Sequence, residues 1–138
     1  MSKKVEAAYP IESERDFKAW RLMYPGASAL LSEIVFHWRG STIRVKGKGG
    51  HWTVYPISTW CDRTGFNLRK VERELRRLVV DGLIERERHP FEGRTLRTFI
   101  RPTPLALLYL GRPPEKAAAK AALAAQNGGT DGGTVGGI

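Results

Sequence analysis

The stretch from Pro56 to Ile84, PISTWCDRTGFNLRKVERELRRLVVDGLI, restricts the possible folds of this chain more than any other. Ser58 is placed to cap a short helix running to about Thr64, with Trp60 and Cys61 inward and Asp62 and Arg63 toward water. Gly65 supplies a tight turn, because a left-handed backbone costs glycine little. Asn67 then caps a second helix, Leu68 to Asp81, with Leu68, Val71, Leu75, Leu78 and Val79 spaced for one inward face. Its opposite face carries Arg69, Lys70, Arg73, Arg76 and Arg77, tempered by Glu72 and Glu74. Gly82 ends this helix, and Leu83 and Ile84 open a strand.

The flanking segments extend this pattern on both sides. Residues 1–12 are polar and aperiodic around Pro10, so a flexible arm is expected. Ser13 caps an expected helix over Glu14 to Met23, with Phe17, Trp20 and Leu22 or Met23 buried; Tyr24-Pro25-Gly26 ends it. Ala27 to Arg39 repeats Leu30, Leu31, Ile34, Val35 and Trp38 at helical spacing, and Gly40 stops it. His37 on this helix reads as an ordinary half-buried histidine. Ser41 to Gly50 suggests a short strand and a mobile loop bearing Arg44, Lys46 and Lys48, which either meets phosphates or is a solvated connector. His51 to Tyr55 is a short strand by its aromatic and β-branched content.

After Ile84, ERER continues the strand, His89 to Gly93 makes a turn, and Arg94 to Arg101 returns. Along that return, Thr95, Arg97, Phe99 and Arg101 share one face and Leu96, Thr98 and Ile100 the other. Phe99 and Ile100 each argue for their own face as the buried one. Leu105 to Leu110 is an apolar half-helix, Glu115 to Gln126 is rich in Ala and Lys, and Asn127 to Ile138 is glycine-rich and expected to be partly disordered. The expected fold class is therefore α+β: three core helices, a short strand and a two-stranded arginine-rich hairpin, with an extra N-terminal and a C-terminal helix. The expected organisation is an arm over 1–12, one domain over 13–112 and a tail over 113–138.

With 138 residues the chain suits one domain with a real core. A net charge of +9 points to a polyanionic partner. One cysteine excludes an internal disulfide and fits a reducing compartment, so a cytoplasmic location is expected. No apolar run approaches the ~20 residues of a membrane span, and no apolar run follows the N-terminal lysines. His37, His51 and His89 are scattered, Cys61 sits on an inward position, and GKGG at 47–50 lacks the phosphate-binding frame. Neither catalysis nor a metal, cofactor or small-molecule ligand is inferred.

Two helices at a glycine turn, entered by a short strand and left by a hairpin, read as a winged helix-turn-helix. Such a motif sets polar side chains near the N-terminus of its second helix against base edges, with basic neighbours on phosphates. Asn67, Arg69, Lys70 and Arg73 hold those positions, with Arg76 and Arg77 further along toward the backbone. Arg86, Arg88, His89, Arg94 and Arg97 of the hairpin would follow the adjacent minor groove or its phosphates, with Arg44, Lys46 and Lys48 as weaker contacts. Against this stands a solvated face, because Glu72–Arg76 and Glu74–Arg77 have the spacing of helical ion pairs. A basic face docking an acidic protein, and single-stranded binding through Trp52 and Tyr55, are the other readings.

From Ala27 to Arg101 the chain resembles the winged-helix domain of phage and plasmid replication proteins and, more broadly, winged-helix transcription regulators. ALLSEIVFHWR, GGHWTVYPISTWC, GFNLRKVERELRRLVVDGLIERER and GRTLRTFIR carry the likeness. The resemblance implies a recognition helix holding Asn67, Arg69, Lys70 and Arg73, and a wing over Arg88 to Arg97. A short apolar helix and a low-complexity tail follow, where an initiator has a second domain. The expectation is therefore a small double-stranded DNA-binding regulator, or a replication or transfer accessory of a plasmid or phage. It would act as a homodimer through Leu105–Leu110 and the first helix.

Overall fold

The computed structural model describes residues 7–93 and 95–136, with side chains to residue 126. Most of the expected arm, residues 1–6, and the side chains of the glycine-rich tail lie outside the described residues. The rest of the arm is docked: Ile11 is buried, and the Tyr9 amide donates to the Asp81 carboxylate at 2.8 Å.

Helix α1, Glu14–Met23, is capped by Ser13, whose hydroxyl accepts the Asp16 amide. Phe17 and Trp20 are its buried residues, whereas Leu22 and Met23 are exposed, contrary to the expectation that one of them packs. The inward stripe continues instead through Tyr24, one turn after Trp20, and Tyr24 also serves as the junction to the next helix. Helix α2, Pro25–Arg39, starts at once, because proline's missing amide is one of the orphans of a first turn. Leu30, Leu31, Ile34 and Val35 bury its core face, and Gly40 closes it.

Helix α3, Ile57–Thr64, is capped by Pro56 in an extended conformation, with no side-chain cap bond. Ser58, expected as the cap, lies inside the first turn; proline's fixed φ of −65° sets the helix start one residue earlier. Gly65 takes φ 79°, a left-handed value that turns the chain into Phe66 and Asn67. The Asn67 side chain accepts the Lys70 amide at 2.8 Å and starts α4, Leu68–Val80. The buried stripe of α4 is Val71, Glu74, Leu75 and Leu78. Leu68 and Val79, expected inward, are exposed. Being three turns apart they share one flank, that of Glu72, and the helix is rotated so that Glu74 packs in their stead.

Strand β1, Ile84–Pro90, pairs antiparallel with β2, Leu96–Pro102, from Ile84↔Pro102 to Pro90↔Leu96. The strand expected over His51–Tyr55 is reduced to two isolated bridges, Ile43↔Trp52 and Thr53↔Ile100. Thr53 exchanges both backbone bonds with Ile100, at 2.8 and 3.0 Å, and its hydroxyl adds a third to the Ile100 carbonyl. This segment occupies the edge of β2 away from β1.

Phe99 and Ile100 are both buried, because both faces of the hairpin base are covered. Ile100 joins the main core with Trp20, Leu30, Ile34, Trp60, Leu75 and Leu78; Phe99 joins Trp52 and Val45 in a second cluster on the other face. Helix α5, Pro104–Leu110, is capped by Thr103 and buries Ala106; it packs on α6, Pro113–Gly136, and also on α2 and β2. Leu105 to Leu110, expected as a dimer surface, therefore packs within the chain. Arg39 at the end of α2 grips Glu115 of α6 through an Nε–Oε2 contact of 2.8 Å. The described residues form an α+β structure of six helices and a two-stranded antiparallel sheet, compatible with a winged-helix-like arrangement.

Candidate nucleic-acid interface

The outward stripe of α4 is Arg69, Arg73 and Arg76, at the i, i+4, i+7 positions that helical periodicity stacks on one side. All three are exposed. Arg69 and Arg76 make no ion pair with any described residue, so the solvated-pair explanation fails for them. The acids expected to neutralise this face are occupied elsewhere. Glu72 reaches Arg86 of β1 at 3.0 Å, and Glu74, largely buried, takes Lys70 at 3.3 Å and the outer edge of Arg73 at 3.8 Å. Lys70 also lies 4.7 Å over the Phe66 ring, which holds it beside the glycine turn.

Arg77 is placed differently. Its side chain is 11% exposed and lies on the completely buried Asp81 carboxylate, with Nε and Nη2 at 2.8 and 2.6 Å. It also donates to the Ala7 carbonyl and covers the Tyr24 ring at 4.6 Å. One residue beyond Arg76 is a step of about 100° around the helix, and that step carries Arg77 from the exposed stripe onto the α1–α2 junction. Asn67 uses its side-chain oxygen as the α4 cap.

The hairpin register divides its basic residues between two faces. Arg86 and Arg88 stand opposite Ile100 and Thr98, on the face that packs toward α4; His89 and Arg97 stand opposite each other on the Phe99 face. Arg88 and Arg97 are exposed and make no ion pair with any described residue, whereas Arg86 is held by Glu72. Arg94 lies outside the described residues. His89 bonds Glu87 at 2.8 Å and packs edge-on against Phe99 and Trp52. Glu87 also receives Lys48 at 2.9 Å, and these two contacts, Lys48 first, hold its carboxyl below the usual range.

The loop bearing Arg44, Lys46 and Lys48 is tied to the Phe99 face of the hairpin, not to the α4 face. Lys48 bonds Glu87, and Arg101 donates to the Gly49 carbonyl while its guanidinium sits 4.0 Å over the buried Trp52 ring. Arg44 donates to the Gly50 carbonyl, and Lys46 is exposed. Trp52 is 0% exposed, so it offers no ring to a single-stranded base.

Two roles escaped the sequence. Arg63, at the end of α3 beside the turn, is a further exposed cation without an ion pair among the described residues. Asp81 was legible only as the last residue of a helix, yet it accepts from Tyr9, Trp20 and Arg77 at once. Among the described residues no group of three or more His, Cys, Asp or Glu side chains could hold a metal ion. No helix among them is long and apolar enough to cross a membrane. Cys61 is half-buried and free. No protein-family model, curated protein or solved structure matches the chain.

Proposed function

We propose that this chain is a winged-helix module that binds duplex DNA in a sequence-specific manner. In this reading α4 enters the major groove, and the hairpin lies on the neighbouring backbone or minor groove. The observation that supports it most is the stripe of Arg69, Arg73 and Arg76, whose potential acidic partners on the same helix are engaged elsewhere. Three guanidinium groups held in line at a spacing of helical turns suit base edges and phosphates, which arginine meets through paired donors. Arg88 and Arg97 on opposite hairpin faces can straddle a groove edge, with Arg63 and Lys70 beside the turn reaching phosphates. Arg77 is left out, since its side chain is used by Asp81.

The module acts by binding alone, as a transcriptional regulator or as an accessory of replication or transfer of a plasmid or phage. Two copies on a symmetric site would raise specificity, because one such module buries a modest interface. A selection of bound sequences from random duplex, followed by titration with competitor DNA, tests the reading. Arg69→Ala or Arg73→Ala should weaken cognate binding by roughly 5- to 150-fold, the equivalent of one bidentate base contact, with a smaller effect on nonspecific binding. Arg88→Ala or Arg97→Ala should weaken both and lower the salt slope by about 1. Recovery of no enriched sequence, or of binding that competitor removes entirely, would favour a basic face that docks an acidic protein.

A further inference from the structure

A cavity of about 580 Å³ lies away from α4, where the end of α2, the outer end of the hairpin, α5 and α6 meet. Its size falls in the ~300–1,000 Å³ range of small-molecule sites. Apolar walls come from Pro102, Leu107, Ala119 and Ala122, and one side is an aromatic pair. The His51 and Trp38 rings stack at 4.5 Å and 10°, and the Trp38 indole N–H donates to the His51 carbonyl at 3.0 Å. Both residues border the cavity.

The His51 imidazole carries the chemistry. Burial first, then the nearby Arg44 and Arg101 charges, lower its pKa, so the ring is neutral. It hydrogen-bonds to the Trp38 backbone, while its Nε2 is buried with no partner among the described residues. A neutral imidazole that donates from Nδ1 to a carbonyl presents Nε2 as a bare acceptor. Leaving such an acceptor dry and unpaired weakens the fold unless something donates to it. The two cations at the rim are each neutralised in place: Arg101 by Glu85 and Arg39 by Glu115, both at 2.8 Å. The rim thus has no spare positive charge to hold an anion.

We infer that this cavity is a binding site for a small, flat, uncharged aromatic molecule with one N–H or O–H donor directed at His51 Nε2. The site is independent of the DNA reading, and the sequence alone gave no sign of it, because its walls come from segments far apart in the chain. Occupancy is also placed to reach the basic loop, since Arg101 at the rim holds the Gly49 carbonyl.

Calorimetric titration of the full chain with indole and with 1-methylindole tests the assignment, since the two probes differ by the donor alone. Indole should bind saturably, and 1-methylindole at least roughly tenfold more weakly, the worth of one hydrogen bond to a buried acceptor. His51→Phe keeps the stacked ring and should make the two probes equal. Ala122→Trp, or Ala118→Trp at an exposed position on the same wall, should abolish both while unfolding stays cooperative. Lack of saturable indole binding, equal affinity for the two probes in the unaltered chain, or indifference to both tryptophan substitutions would overturn the assignment.

Discussion

Replacing Asp81 with Asn would separate a packed helix end from a structural node. The carboxylate accepts four N–H bonds: from Tyr9 at 2.8 Å, from Trp20 Nε1 at 2.6 Å, and from Arg77 Nε and Nη2 at 2.8 and 2.6 Å. Oδ1 takes Tyr9 and one arginine nitrogen, and Oδ2 takes Trp20 and the other. An amide can offer only one oxygen, so in either orientation an NH₂ group faces two donors. Arg77, 11% exposed, would keep its charge without a counter-charge. Breaking a buried pair from one side costs about 3–5 kcal/mol. That is a large share of the ~5–15 kcal/mol that holds a typical domain folded. Urea unfolding followed by tryptophan fluorescence should show the midpoint fall by that amount. Asp81→Asn with Arg77→Met should be less destabilised than the sum of the two single changes, since the second removes the stranded charge. A loss under about 1 kcal/mol, or strict additivity, would mean that Asp81 is not the tie between α4, α1 and the N-terminal segment.

Gly65→Ala should lower stability by about 1–2 kcal/mol, because φ 79° is left-handed and space is not the constraint there; unchanged unfolding would contradict the tight-turn role. Asn67→Ala removes the α4 cap and should cost about 0.5–2 kcal/mol, with Gly at the same site costing less. Stability should also fall with acid in two steps. His51 has a folded pKa below its usual 6.5, so the folded state binds fewer protons there; its contribution is whole above 6.5 and is lost as pH falls below it. Glu115, held below its usual 4.5 by the Arg39 guanidinium, contributes fully above 4.5 and loses that contribution as pH falls further. Urea midpoints on either side of both values should show the two steps, and His51→Phe should erase the upper one alone.

The local signals that were legible share one property: they depend on neighbours a few residues away. Ser13 and Asn67 as caps, Gly65 as the turn and the apolar stripe of α2 all follow from helix geometry within one or two turns. What escaped depends on contacts across the chain. The rotation of α4 that exposes Leu68 and Val79 is set by Glu74 packing against the α2 start and by Arg86 drawing Glu72 to the hairpin. Arg76 and Arg77 are adjacent and chemically identical, and only the position of Asp81 and Tyr24 separates an outward cation from a buried one. The hairpin could not be oriented from Phe99 and Ile100 because the loop from Val45 to Trp52 covers its second face, a long-range event that alternation cannot report.

The central claim is that the place of the cations on α4, rather than their number, carries DNA binding. Two triple variants of equal charge isolate it: Arg69, Arg73 and Arg76 to Ala, against Arg15, Lys116 and Lys120 to Ala, which are exposed residues of α1 and α6. The measurement is duplex binding in the presence of excess competitor DNA at fixed salt. The account predicts that the α4 triple abolishes competitor-resistant binding while the charge-matched triple retains it. Equal loss in the two would show that net charge alone holds the DNA, and would contradict the account.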